Sequence, residues 1–295
     1  MPLSGRYAVQ GVQLRAGLEL WVRHTGARLI LEDDRSDPLR AAYLHDELVR
    51  RCRIVLGPYG SDSTRAVAGR AALVWNHGGA ADDVQRLSRV VSVPSPASRY
   101  LVALARGLVE LRPGVRVAVF VASGRFAAFA REGLEREAPS LGLKLVATPA
   151  ETDAVLLCGP YQWEVEMFRR LGRRPLLGGV SPGLAAFPDL LGGEPDGFLA
   201  PVQWHRDLEP AVDLGPERVE LDDPVAAQAY AAALVATHCL ELKPDAPLAA
   251  ARSLQATTFF GRFQLDPASG LQRGHRLAVI RWQHHQRLLL LKDAA

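Results

Sequence analysis

The feature that most constrains this chain is an alternation of short apolar runs with helical stretches, met twice along its length. A strand can pair in parallel with the next only after a crossover, usually a helix, so this alternation specifies α/β layers with parallel sheets. In the first round, residues 9–24 read as a helix with an apolar stripe through Val12, Ala16 and Leu20, and residues 27–31 as a strand. Asp37 then caps a helix that opens with Pro38, the residue order a helix start favours. Residues 53–56 are the next expected strand, and Gly57-Pro58-Tyr59-Gly60 turns into a helix opened by Ser61. Residues 72–75 and 90–93 complete the round, and Pro94 and Pro96 mark an exit from it.

The second round has helices over 98–111, 125–138 and 161–171 and strands over 115–121, 143–147, 154–157, 175–177 and 197–202. A long alanine-rich helix (224–242), a shorter one (248–256) and hairpin material follow: 262–265, a turn over 266–270, then 276–283 and 287–291. With 295 residues and 48% hydrophobic side chains, the chain can bury two cores. The expected division is 1–93 plus 204–256 for one lobe and 94–203 plus 257–295 for the other. A doubly wound lobe normally opens on a buried central strand, whereas this chain opens on a turn, Met1-Pro2-Leu3-Ser4-Gly5, and a helix. The first lobe's sheet is therefore expected to lack its opening strand, or to fill the place by pairing with another chain, as in a homodimer.

Several functions are disfavoured by what the sequence holds. The net charge is +3, the only lysines are Lys144, Lys243 and Lys292, and the arginines are scattered, so nucleic acid is not an expected partner. Cys52, Cys158 and Cys239 form neither a disulfide framework nor a metal-type pair. His77 ends a strand without a serine or cysteine in a nucleophile setting, and His284-His285 has no second pair of zinc ligands. Neither the dinucleotide nor the P-loop glycine pattern occurs. The expectation is a protein with no enzymatic activity, no catalytic residues, no metal and no cofactor. No stretch reads as long and apolar enough to cross a membrane. The opening residues lack a basic and then apolar leader, which points to the cytoplasm if the chain is complete.

Three stretches could hold a ligand, because open α/β sheets bind at the carboxyl ends of their strands. Glu32-Asp33-Asp34-Arg35-Ser36-Asp37-Pro38 puts acids there, although Asp37 is explained as a cap. Gly57-Pro58-Tyr59-Gly60-Ser61-Asp62-Ser63-Thr64 delivers a helix N-terminus whose unpaired amides suit a carboxylate, and it reads equally well as a plain helix start. The glycines of Asn76-His77-Gly78-Gly79-Ala80-Ala81 would let a ligand approach the backbone.

Taken together with Pro2-Leu3-Ser4-Gly5, Gln10-Gly11, Thr258-Phe259-Phe260-Gly261-Arg262-Phe263, Asp266-Pro267-Ala268-Ser269-Gly270 and Gln272-Arg273-Gly274-His275, these motifs resemble the branched-chain amino acid (Leu/Ile/Val) binding proteins of ABC transporters. The resemblance runs over nearly the whole chain. It implies a type I periplasmic-binding-protein fold: two Rossmann-like lobes, three crossings and a ligand in the cleft. It also implies a ligand carboxylate held at Ser61, further contacts at Gly78, Gly79 and Ala80, and aromatic cover from Phe126 and Tyr161. Gln10 and Tyr59 complete the candidate set. Two positions depart from the family pattern: Ala80 stands where threonine or serine is common, and residues 180–183 hold no acid for an α-ammonium. A buried ammonium without an anion is costly, so an organic acid without an amine fits better than a standard amino acid. The expected function is capture of a carboxylate-bearing ligand for ABC-type uptake with membrane permease subunits, in the periplasm or as an extracellular lipoprotein-like protein. A cytosolic ligand sensor or regulatory subunit of the same fold is the alternative.

Overall fold

The structure, a computed structural model, describes every residue except 71, 149–150 and 173–175. In chain order, its first elements are α1 (Ala8–Thr25), α2 (Pro38–Val49), α3 (Ser61–Ala68), β1 (Val74–Asn76), α4 (Asp82–Gln85) and β2 (Val90–Ser92). Next come α5 (Tyr100–Leu111), β3 (Arg116–Val121), α6 (Arg125–Glu137), β4 (Lys144–Val146), β5 (Ala154–Cys158), α7 (Tyr161–Leu171), β6 (Leu176–Gly178), α8 (Phe187–Leu191) and β7 (Phe198–Val202). The last are α9 (Pro224–Leu242), α10 (Pro247–Ser253), β8 (Gln255–Thr258), β9 (Gly261–Gln264), β10 (Ala278–Gln283) and β11 (Gln286–Leu291). Two compact units result: Met1–Pro96 with Leu208–His275, and Ala97–Asp207 with Arg276–Ala295. Residues 257–275 thus fold with the first unit, where the sequence reading had placed them in the second. Bonds to distant parts of that unit hold them: Thr257 N donates to the Asp213 carboxylate at 2.7 Å, and Gln272 Nε2 to Val93 O at 3.3 Å.

In the first unit, Asp37 caps α2, accepting from Leu39 N at 2.7 Å and Arg40 N at 3.0 Å. Ala41 of α2 and Val67 of α3 pack on Val74 and Val90, which stand opposite each other in the parallel β1–β2 pair. Every residue of those two strands is buried, and α3, α4 and α9 pack against them. Helix α1 runs along α9. Their backbones meet at Gly17, where a Cβ would come within 2.0 Å of the Ala226 carbonyl oxygen, so only glycine fits. By length and composition α9 is apolar enough to cross a membrane, which corrects the sequence expectation; 67% of that stretch is buried inside the protein, as in a core helix.

The sheet of this unit is smaller than expected. Residues 27–31 belong to no helix or ladder, and residues 53–56 make a single parallel bridge, Leu56 to Trp75. The late hairpin β8–β9 is antiparallel and is followed by a Leu265–Gln272 bridge.

The second unit holds a seven-stranded sheet in the order β11-β10-β7-β6-β5-β3-β4. Its neighbours pair in parallel from β7 to β4, and β10 joins antiparallel. Pro175, the first residue of one expected strand, lies outside the described residues. Strand β5 is buried at every position, as a central strand with both faces covered must be. Phe168, Phe187 and Phe198 meet edge-to-face beside it, with centroids 4.9–6.1 Å apart. The turn of the β10–β11 hairpin puts His284 and His285 in the left-handed region, and both amides donate to the Asp196 carboxylate.

Candidate functional site

In the first unit the expected ligand edge gathers around the start of α3. Gly60 precedes the helix at φ 93°, and no side chain caps it. Ser61 is therefore no cap; its Oγ accepts from Ala81 N at 3.1 Å, tying α3 to the loop after β1. A hydroxyl that accepts still has one hydrogen to donate, and Ser61 is only half-buried.

Asn76, which sequence reasoning passed over, organises that loop. Its Oδ1 accepts from Gly78 N at 3.1 Å and Gly79 N at 2.7 Å, while Nδ2 donates to Gly79 O and Ser92 Oγ. The two glycines are required by packing. A Cβ on Gly78 would fall 2.3 Å from the Tyr59 ring, and one on Gly79 would fall 2.5 Å from Thr64 Oγ1. Tyr59 meets Tyr7 edge-to-face at 5.5 Å. Ala80 is buried at the end of this loop, and Gln10 is buried in α1 with no hydrogen-bond partner for Oε1 among the described residues. Ser61, Tyr59, Gly78 and Gly79 are thus brought together.

His77 lies beneath the same loop, fully buried. Burial, helped by the positive charge of the Met1 amino group, pushes its pKa down to about 3. It is neutral at physiological pH and is held against Gly57, where a Cβ would be 2.7 Å from Nε2.

In the second unit, the carboxyl ends of β3, β5, β6 and β7 form a separate edge. Phe126, in the first turn of α6, meets Tyr100 edge-to-face at 5.1 Å, and the Tyr100 hydroxyl accepts from Gln203 Nε2 at 2.6 Å. Burial pushes the Tyr100 hydroxyl up to about 12, so it stays protonated. Tyr161 is the first residue of α7 and half-buried. Three residues on, Glu164 is fully buried. Its carboxylate accepts from Gly159 N at 2.9 Å and Ser181 N at 2.6 Å, pinning the loops after β5 and β6 to each other. Burial raises its pKa to about 7 in spite of those amides. The acid missing from residues 180–183 in sequence is thus present beneath that loop, but turned onto the backbone. Among the described residues no cluster of histidine, cysteine and acidic groups could hold a metal.

No protein-family model and no curated protein sequence matches this chain. Solved structures do match it in fold. A leucine-binding protein, LivK, from Thermotoga maritima superposes with a TM-score of 0.80 at 15% identity, covering 98% of this chain and 95% of that one. An ABC-transporter solute-binding protein from R. palustris, solved with benzoate, gives 0.75 at 17% identity, covering 100% and 94%. The branched-chain amino acid transporter substrate-binding protein LivJ from Streptococcus pneumoniae, solved with isoleucine, gives 0.77 at 15% identity, covering 97% and 95%. The chain has the type I periplasmic-binding-protein fold of these solute-binding proteins.

Proposed function

We propose that this protein captures a small organic acid for an ABC-type uptake system, outside the cytoplasmic membrane and in partnership with permease subunits. The observation that carries the reading is the start of α3: a half-buried serine hydroxyl with a hydrogen to donate, beside helix amides that lack intrahelical partners. That arrangement favours a carboxylate. The acid nearest residues 180–183 is committed to backbone amides, so it offers an α-ammonium no exposed partner. Benzoate, the ligand of the R. palustris protein, is an acid of this amine-free kind.

The first test is a thermal-shift screen over benzoate, 4-hydroxybenzoate, short aliphatic acids, leucine and isoleucine, since a ligand of the folded state raises its melting temperature. Stabilisation by amino acids alone would overturn the ligand class. Calorimetry on the best acid, with wild type and Ser61→Ala, then tests the cradle. Loss of one hydrogen bond to a charged group costs about 1–3 kcal/mol, a weakening of roughly five- to 150-fold. Unchanged affinity removes Ser61 from the site.

A further inference from the structure

Among the described residues of the second unit, Glu164 is the one fully buried acid, and backbone amides rather than a cation meet it. It is the fourth residue of α7. A helical side chain leans toward its own N-terminus, so the carboxylate reaches back to the loop that α7 leaves. Gly159 N donates to Oε1 at 2.9 Å and Ser181 N to Oε2 at 2.6 Å. The loop after β6 makes room for it, since a Cβ on Gly179 would fall 2.8 Å from Oε2. One carboxylate thus joins the loop that leads to Tyr161 and the loop over residues 179–183.

The two loops differ in what else holds them. In the loop after β6, Pro182 O accepts from the Trp282 indole at 2.7 Å, and Gly183 O from the Arg287 guanidinium at 3.0 Å. In the loop after β5, Pro160 has no N–H, and Gly159 N gives its one hydrogen to Glu164. The charged groups of the neighbouring elements are engaged elsewhere. On α7, Glu166 pairs with Arg170, and Arg169 donates to Leu190 O and Leu191 O of α8. Asp189 of α8 is exposed. Cys158 of β5 feels the charge of Glu164, and burial keeps its thiol protonated, as it keeps the Tyr100 hydroxyl beyond it. Burial alone therefore opposes the amides in deciding whether Glu164 is ionised, and the two balance near neutrality.

We propose that Glu164 is a positioning residue whose own ionisation locks or frees the loop before α7, and with it Tyr161. As a carboxylate it accepts from both loops at once. Once protonated, one of its oxygens carries a hydrogen and turns from acceptor to donor, so one of the two amides meets an O–H instead of a lone pair. The amide that loses its partner is that of Gly159, because the loop at Ser181 stays anchored through Pro182 and Gly183. The start of α7 is therefore fixed above neutral pH and loosened below it. The bearing of this on ligand capture rests on the function proposed above, with Tyr161 as a ligand contact; the lock at Gly159 stands on the geometry alone.

The test is amide exchange of the full 295-residue protein without ligand, from about pH 8.5 to about pH 5.5, corrected for the intrinsic chemistry of exchange. Protection of Gly159 N should fall at least about tenfold across that range, with its midpoint near pH 7, while Ser181 N keeps its protection. In Glu164→Gln, whose side chain cannot ionise and accepts through one oxygen only, Gly159 should exchange fast at every pH. A second reading needs no variant: carbon-13 NMR of the glutamate carboxyl groups should show one that titrates near pH 7. Gly159 protection that ignores pH in the wild type, the same profile in Glu164→Gln, or a loss spread evenly over the second unit overturns the proposal. So does a set of glutamate carboxyls that all titrate in the ordinary acid range. These readings use no ligand, so a failure here is distinct from a failure of the proposed ligand class.

Discussion

In the second unit, β3 is hydrogen-bonded on one side to β4 and on the other to β5, and the sheet continues to seven strands. In the first, residues 27–31 stand without a ladder and residues 53–56 hold on by one bridge. Helices pack against the strands of both units. The difference teaches that an apolar run becomes a strand only when a neighbouring backbone bonds it: propensity chooses candidates, and pairing decides.

The largest expected effect tests that contrast directly. Leu156, at the centre of β5, is fully buried, so Leu156→Ala should cost about 2–5 kcal/mol. Ile54, two residues before the single Leu56–Trp75 bridge, is half-buried; Ile54→Ala should cost about 1 kcal/mol. Urea unfolding of the two variants, with hydrogen exchange to assign the loss to a unit, makes the measurement. An equal cost would mean that the first sheet is packed as tightly as the second.

Next in size is a pH effect confined to the second unit. Burial holds the Glu164 pKa near 7 in the folded protein against an ordinary 4.5, so the folded state binds this proton more tightly than the unfolded chain. Stability from this group is greatest below about pH 4.5 and declines as pH rises to about 7, by on the order of 3 kcal/mol in all. Glu164→Gln should flatten that decline. A decline of the same slope in the variant would assign it to other groups.

The smallest effect lies at α2. Asp37→Ala leaves Leu39 N and Arg40 N without their acceptor and should cost about 1 kcal/mol. The cost should fall in the first unit alone, and exchange in α2 would show it.

Much of this architecture was legible because it is written locally. Asp37-Pro38 marks a helix start, Pro94 and Pro96 an exit, and the helix over 61–68 begins at Ser61 as its glycine-bearing turn implies. Features that depend on distant partners were not legible. Asn76 looked like one polar residue in a loop, and only the fold brings Ser92 to it. Glu164 sat on an amphipathic helix like any surface acid until the loops after β5 and β6 closed over it. Residues 257–275 were assigned to the wrong unit because the side chains that hold them, Asp213 and Gln85 among them, are far away in sequence.

The seam between α1 and α9 also has a meaning in time. Leu14, Leu18 and Trp21 of α1 are buried in a unit whose long core helix, α9, starts only at Pro224. At a synthesis rate of about 5–20 residues per second, the ribosome needs roughly 10–40 s to supply the intervening chain. For that interval the first helix carries an apolar stripe with no native cover, while β3 to β7 of the second unit are already made. The core of the first unit therefore closes only after α9 has been made.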